Sequence, residues 1–198
     1  MKKATLLFSF SLFTVFVFSQ EYKTRVEKQF LEYTDLLIQK EFFKSTGYIN
    51  EDFFKIVSKT QLAEIFEKTM NNPEIDYKIK DPKVLQIEDL KEINDVKYVK
   101  FKYSNVLIMK FNTVDSPGDT ASIETNSKKQ SLLTQALEAQ FGSENVSFND
   151  TTKYYRIYSL KKAIANSKDT QNWKFVTVEN RQKALLEKFI PKELLEDK

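Results

Sequence analysis

The sequence predicts an α+β fold, in which N-terminal helices pack on a curved antiparallel sheet. Apolar residues recur at helical spacing over 22–44, and apolar and polar residues alternate with a period of two over 96–111. The chain of 198 residues contains only 3 Gly and 4 Pro, so long elements and few turns are expected. Residues 20–198 are predicted to form a single domain, which is long enough to bury a substantial core.

Residues 1–19 have the pattern of a cleavable secretory signal peptide. Two lysines near the start precede an almost wholly apolar run over 6–18, which is short for a membrane span of about 20 residues. Small or modest residues precede Gln20, so cleavage is predicted between Ser19 and Gln20, with an uncleaved anchor as the alternative. The mature chain is therefore expected to be soluble and exported, to the periplasm or beyond the cell, without a membrane span.

Charge and cysteine content restrict the partners and the sources of stability. The chain carries 31 basic and 28 acidic residues, and two of the basic ones lie in the leader, so the mature chain has a net charge of about +1. No long basic block is present, which argues against a nucleic-acid partner. The absence of Cys excludes disulfides, so the fold must rely on packing.

Three helices are predicted before the first strand. The first spans residues 22–44 and ends near Gly47. Asn50 is placed to cap a short helix, and a Ser-x-x-Gln capping box at 58–61 begins the third. The Asn-Asn-Pro sequence at 71–73 ends that helix.

The strand predicted over 96–111 is the centre of the sheet. Its odd-numbered positions are mostly apolar, from Val99 and Phe101 to Phe111, whereas lysines occupy the even side. The helices are expected against the odd face. Two further strands, 75–79 and 84–87, precede it and are separated by an Asp-Pro break.

The second half of the chain predicts a loop, a helix, outer strands and a last helix. The Ser-, Thr- and Asp-rich segment 112–127 is interpreted as an exposed, mobile loop, and a second amphipathic helix follows over 130–141. A short helix at 180–189 closes the chain before Pro191. Between the two helices, short strands of the same antiparallel sheet are predicted at 146–148, 154–158, 163–165 and 173–178.

Four short segments carry a resemblance to a known family, at residues 33–37, 47–49, 83–87 and 173–175. Together with the order of elements, they resemble the NTF2-like (cystatin-like, cone-shaped) superfamily, and within it small secreted Bacteroidetes proteins of unknown function. The likeness covers most of 22–190, and none of its motifs is catalytic. The helix at 130–141 departs from the simplest member of that fold. The resemblance implies a sheet wrapped around the first helix, often with a pocket at the open end.

The absence of His and Cys excludes most catalytic chemistry. Without them the chain has no imidazole acid–base, no Ser-His or Cys-His nucleophile pair and no ordinary zinc ligand set. No phosphate-binding loop, dinucleotide fingerprint or calcium loop is present, and no cofactor is expected. Carboxylate, Tyr and Lys chemistry remains.

Two classes of function are consistent with these observations. The preferred class is an exported non-catalytic binding or accessory protein, which takes a small apolar ligand in the cone or a protein partner along the sheet. The alternative implied by the resemblance is a pocket enzyme with an Asp base and a Tyr donor. The residues of those types are Asp35, Tyr33, Tyr48 and Tyr103. An inward-facing Asp near a Tyr would favour the enzyme, and a cone filled with Phe would leave only protein partners.

Two threonines match a short acceptor pattern for modification. Thr120 follows Asp119 in the predicted loop, and Thr151 follows Asp150 at a predicted turn. Both resemble the Asp-Thr-small or apolar pattern of Bacteroidetes O-glycosylation, with an unmodified polar loop as the alternative. An exported chain would reach the compartment of that modification, and exposed loops are accessible to an enzyme.

Overall fold

The computed structural model describes residues 4–112 and 123–196, with side chains for 21–112, 127–179 and 181–196. In this part of the chain, helices pack with an open six-stranded antiparallel sheet, which confirms the α+β class. Strands β1 (Ile75–Ile87), β3 (Val96–Phe111), β5 (Tyr154–Ser167) and β4 (Val146–Asn149) follow one another across the sheet. The short strands β2 (Lys91–Ile93) and β6 (Lys174–Val178) pair with β3 and β5 respectively.

The first helix, α1 (Ala4–Ile38), ends earlier than predicted. Lys40 has a left-handed φ of 61°, its N–H donates to the Leu37 carbonyl, and the Glu41 N–H donates to the Leu36 carbonyl. These two bonds form a Schellman motif, with Lys40 at the position that usually holds Gly. The predicted helix through residue 44 is therefore wrong, and Gly47 lies beyond the helix end.

The following short elements agree with the capping signals. After α2 (Phe42–Ser45) and a 3₁₀ turn, the Asn50 side chain accepts a hydrogen bond of 2.8 Å from the Asp52 N–H and caps the 3₁₀ helix Glu51–Lys55. Ser58 and Gln61 form both bonds of the predicted capping box at the start of α3 (Lys59–Met70). These ends are set by local hydrogen bonds, which is why the sequence predicts them well.

The predicted Asp-Pro break in the first strand is wrong. β1 is one strand, and its register against β3 shifts between Lys80 and Lys83, so Asp81 and Pro82 form a bulge. Pro is tolerated there because β1 is an edge strand and a bulge needs no ladder N–H. The predicted turn into β3 is confirmed, because Asn94 and Asp95, with φ of 51° and 61°, join Ile93 to its partner Val96.

The second half of the sheet is more continuous than predicted. Residues 154–167 form the single strand β5, which pairs with β3 over most of its length. Helix α4 (Ile123–Phe141) begins within the segment predicted as a loop, and residues 113–122 of that segment lie outside those described. At the end of the chain, α5 (Lys183–Leu186) and α6 (Lys192–Leu195) replace the single predicted helix.

Both faces of the sheet carry buried residues. The odd face of β3 packs against α1, where Val26 and Phe30 contact Val99 and Phe101, and Leu137 of α4 joins Leu107 further along. This confirms the predicted core face. On the even face, Tyr98 and Ile164 are covered by the C-terminal segment with Leu186, Ile190, Leu194 and Leu195.

Candidate ligand-binding cleft

A cleft opens where α1 and α4 diverge over the odd face of the sheet. Its volume is about 400 Å³, which lies within the range of roughly 300–1,000 Å³ that is typical of small-molecule sites. The two helices form its walls and β1, β3 and β5 form its floor. Most of the lining is aromatic or aliphatic, and includes Phe30, Tyr33, Tyr103, Leu107, Leu137 and Phe141.

The wall nearest α1 is an aromatic cluster that fixes the shape of the cleft. The Phe30 ring lies 4.6 Å from Tyr103 and 4.8 Å from Phe101, measured between centroids. Tyr33 stacks on Phe175 at 6.2 Å. Because these rings contact one another on several sides, this wall is preformed rather than assembled by a ligand.

The floor contains an amide that is not fully satisfied. Asn105 lies on the odd face of β3 between Tyr103 and Leu107, directly opposite Ser159 of β5. The Asn105 Oδ1 atom is buried and has no hydrogen-bond partner among the described residues. A buried carbonyl oxygen without a partner typically destabilises a fold by about 1–3 kcal/mol. A contribution to stability therefore does not explain why Asn is present at this position.

Polar groups also lie at one end of the cleft. Lys161 Nζ donates to Glu179 Oε1 at 2.8 Å, and the hydroxyls of Tyr103 and Thr177 lie 3.2 Å apart. Burial raises the pKa of the Tyr103 hydroxyl. The hydrogen bond with Thr177 reduces this increase, and the Glu179 charge adds to it. This hydroxyl therefore stays protonated at neutral pH and is available as a donor.

Burial likewise raises the pKa values of two other tyrosines in the cleft. The pKa of Tyr77 is raised to about 12 by burial, with a smaller contribution from Tyr103. The same two causes raise the pKa of Tyr33. All three tyrosines are therefore neutral hydrogen-bonding groups in this site, and none is a base at physiological pH.

The structure brings together only part of the proposed Asp and Tyr set. Tyr33 and Tyr103 line the cleft, but Asp35 is exposed on α1 and does not. Tyr48 packs beside Tyr33 at 6.3 Å, and its hydroxyl donates to Glu32 at the surface. The Asp base of the enzyme alternative is therefore not in the cleft.

Sequence reasoning missed Asn105 and Glu179. Asn105 interrupts an otherwise apolar run of odd positions from Val99 to Phe111. That interruption was the available signal, because a polar residue on a core face is uncommon unless it has a partner or a role. Glu179 is brought to Lys161 by the pairing of β5 with β6, which no local pattern reveals.

The predicted processing and modification sites remain predictions. Side chains before residue 21, including Ser19 and Gln20, lie outside the described part of the chain, as does Thr120. Thr151 is exposed in the turn between β4 and β5, where its N–H donates to Asn149 Oδ1 at 3.0 Å. Its turn position agrees with the expected setting of an acceptor.

Within residues 4–112 and 123–196, no helix has the length and apolar character needed to cross a membrane. No group of three or more carboxylate, His or Cys side chains that could hold a metal ion occurs among the described residues. Comparison with protein-family models, with curated proteins and with solved structures finds no match to this chain.

Proposed function

We propose that this chain is an exported, non-catalytic binding protein for a small, largely apolar molecule that carries a hydrogen-bonding group. The observation that supports the proposal most directly is Asn105, in the floor of an apolar cleft, whose buried Oδ1 atom has no hydrogen-bond partner among the described residues. The leader pattern at 1–19 supports export. The resemblance to the NTF2-like superfamily, whose cones often hold a pocket, supports the location of the site.

The size and lining of the cleft support an apolar ligand body. A closed cavity of roughly 150 Å³ is enough to hold benzene, and this cleft has about 400 Å³. Its walls hold aromatic rings and the side chains of Leu37, Leu107 and Met109. Burying a ligand against them gains about 25 cal/mol for each Å² of apolar surface removed from water.

Asn105 supplies the selectivity. The terminal torsion of an Asn side chain adopts a broad range of angles. The Asn105 amide can therefore present either its N–H₂ group or its carbonyl oxygen to the cleft. Ser159 lies opposite it, and Tyr103 lies two residues away on the same face of β3. A ligand hydroxyl can donate to the carbonyl and accept from a neighbouring hydroxyl, which removes the unsatisfied group.

The geometry favours binding over catalysis. The acid that lines the cleft, Glu179, already accepts a hydrogen bond from Lys161, and Asp35 points elsewhere on an exposed part of α1. A proton-abstracting base needs an acceptor within reach of the substrate. The polar groups of this cleft are instead suited to holding a ligand in one orientation.

The experiment is a pair of matched probes, 2-naphthol and 2-methylnaphthalene, whose binding is followed by fluorescence titration. The first probe carries a hydroxyl where the second carries a methyl group. The wild-type protein should bind 2-naphthol about three- to tenfold more tightly, because one net hydrogen bond changes the affinity by about that factor. In Asn105→Leu this preference should disappear.

Two substitutions of the same kind on α4 locate the site. Gln140→Trp places an indole at the mouth of the cleft and should abolish binding, whereas Gln135→Trp, exposed on the same helix and outside the cleft, should leave it unchanged. Absence of binding to the wild-type protein, or equal binding by the two tryptophan variants, would contradict the proposal.

A further inference from the structure

The three long strands concentrate positive charge on one face of the sheet. Strands β1, β3 and β5 together contain ten Lys and Arg residues and two acids, and neither β3 nor β5 contains an acid. The pairing registers place eight of the ten bases on the even face, opposite α1 and α4. This clustering is unexpected in a chain that is nearly neutral.

The C-terminal helices cover only one end of that face. They contact Tyr98 and Ile164, and the Lys100 amine donates to the Glu196 carbonyl at that end. Beyond it the even face has no helix over it in the described part of the chain. We call the even face from the edge of α6 onwards the basic face. Its charged residues are Lys80, Lys83, Lys110 and Arg156, together with Lys102 and Lys162 beside α6.

Few carboxylates neutralise the basic face. Asp76 pairs with Lys78 at 3.1 Å and accepts a hydrogen bond from Tyr154, and Asp81 lies in the β1 bulge. Glu88 and Glu193 line a small pocket beside Lys102 and Lys162 at the α6 end. Within the described residues, none of the following lies within ion-pair distance of a carboxylate: Lys80, Lys83, Lys102, Lys110 and Arg156.

Exposed apolar side chains lie among these charges. Leu160 is 56 % exposed and Tyr158 is 38 % exposed, and both point from the even side of β5. On the same face of β3, Ser104 and Val106 are buried. A surface that combines lysines with protruding Leu and Tyr side chains fits the boundary between lipid headgroups and acyl chains.

We infer that the basic face docks on an anionic lipid bilayer. Its charges are spread over three neighbouring strands about 4.8 Å apart, with two on each of β1, β3 and β5, and a bilayer presents phosphates in two dimensions. A linear polyanion is better matched by a groove or a single row of bases. Attachment by this face leaves the cleft, on the opposite side of the sheet, accessible to its ligand.

The test is vesicle co-sedimentation of the leaderless protein. Vesicles of equal parts phosphatidylcholine and phosphatidylglycerol should bind it at low salt, and phosphatidylcholine alone should not. Each neutralised lysine is expected to lower the partition coefficient roughly fivefold, so a triple variant should lose about a hundredfold. The triple variant is Lys80→Gln, Lys83→Gln and Lys102→Gln.

A control variant with the same net charge tests whether position matters. It neutralises three lysines that lie outside the basic face and are each at least 67 % exposed, Lys28→Gln, Lys44→Gln and Lys55→Gln. We expect this variant to bind vesicles nearly as well as the wild-type protein. Leu160→Ser should remove the binding that persists at high salt.

Three results would overturn the inference. The wild-type protein could fail to bind phosphatidylglycerol vesicles, or the two triple variants could lose binding equally, which would show a general charge effect. The protein could also bind soluble dextran sulfate while ignoring the vesicles, which would assign the basic face to a polyanion in solution.

Discussion

Replacing Phe101 by Ala tests the packing of α1 on the sheet. Phe101 is 2 % exposed, and its ring makes edge-to-face contacts with Phe30 at 4.8 Å and Phe175 at 6.0 Å. A Phe side chain buries roughly 150–250 Å². At about 25 cal/mol per Å², with Ala retaining part of that area, the lost transfer free energy is about 3 kcal/mol. The two ring contacts add about 1 kcal/mol, so the free energy of unfolding should fall by about 4 kcal/mol.

Urea unfolding of the leaderless protein measures this loss. With an m-value of about 2 kcal/mol/M, the midpoint should fall by about 2 M. Phe43→Ala removes the same ring from a site that is 62 % exposed, and Lys102→Ala alters the neighbouring residue on the other face. Both should stay within about 0.5 kcal/mol of the wild type. If Phe101→Ala does not fold, Phe101→Leu should show a smaller loss, below about 1.5 kcal/mol. Equal midpoints for the Phe101 and Lys102 variants would refute the assignment of the two faces.

Three further predictions concern a turn, a buried hydroxyl and processing. Asp95→Gly should raise the free energy of unfolding by about 0.5–1 kcal/mol, because Asp95 has φ of 61° in a two-residue hairpin that favours Gly at that position; a lower urea midpoint would contradict this. The pKa of Tyr77 in the folded protein, about 12, exceeds its ordinary value of 10.0. The protonated hydroxyl therefore contributes fully to the free energy of unfolding below pH 10, and this contribution is lost as the pH rises towards 12. Between pH 10 and pH 12, the free energy of unfolding of Tyr77→Phe should therefore fall by about 2–3 kcal/mol less than that of the wild type. Equal falls for the two proteins in urea titrations would show that the Tyr77 pKa is not raised. Mass spectrometry of protein from the native host should find an N-terminus at Gln20 and added sugar mass that Thr120→Ala removes; an N-terminus at Met1 or an unmodified mass would contradict the respective prediction.

The sequence predicts best where hydrogen bonds are local. The Ser58 capping box and the Asn50 cap were predicted correctly because partner groups lie within three residues. The bounds of β3 were also predicted, since its alternating pattern is long and uninterrupted. The end of α1 was not, because Lys40 occupies a left-handed position without the Gly that usually marks it.

The sequence predicts less well where tertiary contacts decide. The Asp-Pro break in β1 became a bulge because pairing with β3 continues on both sides of it. The cleft was anticipated only as a general possibility, through Tyr33 and Tyr103. The Lys161–Glu179 pair depends on strand pairing, and the basic face depends on the registers of three strands. The absence of acidic residues from the segments that form β3 and β5 is nevertheless visible in the sequence.

Asn105→Leu tests the central claim most directly, with stability and probe binding measured on the same protein. If the amide is retained for a ligand, replacing it with an apolar side chain should raise the free energy of unfolding by about 1–3 kcal/mol, since an unsatisfied buried oxygen is removed. The same variant should bind 2-naphthol and 2-methylnaphthalene equally. A lower free energy of unfolding together with an unchanged preference for 2-naphthol would contradict the account, because Asn105 would then stabilise the fold and take no part in recognition.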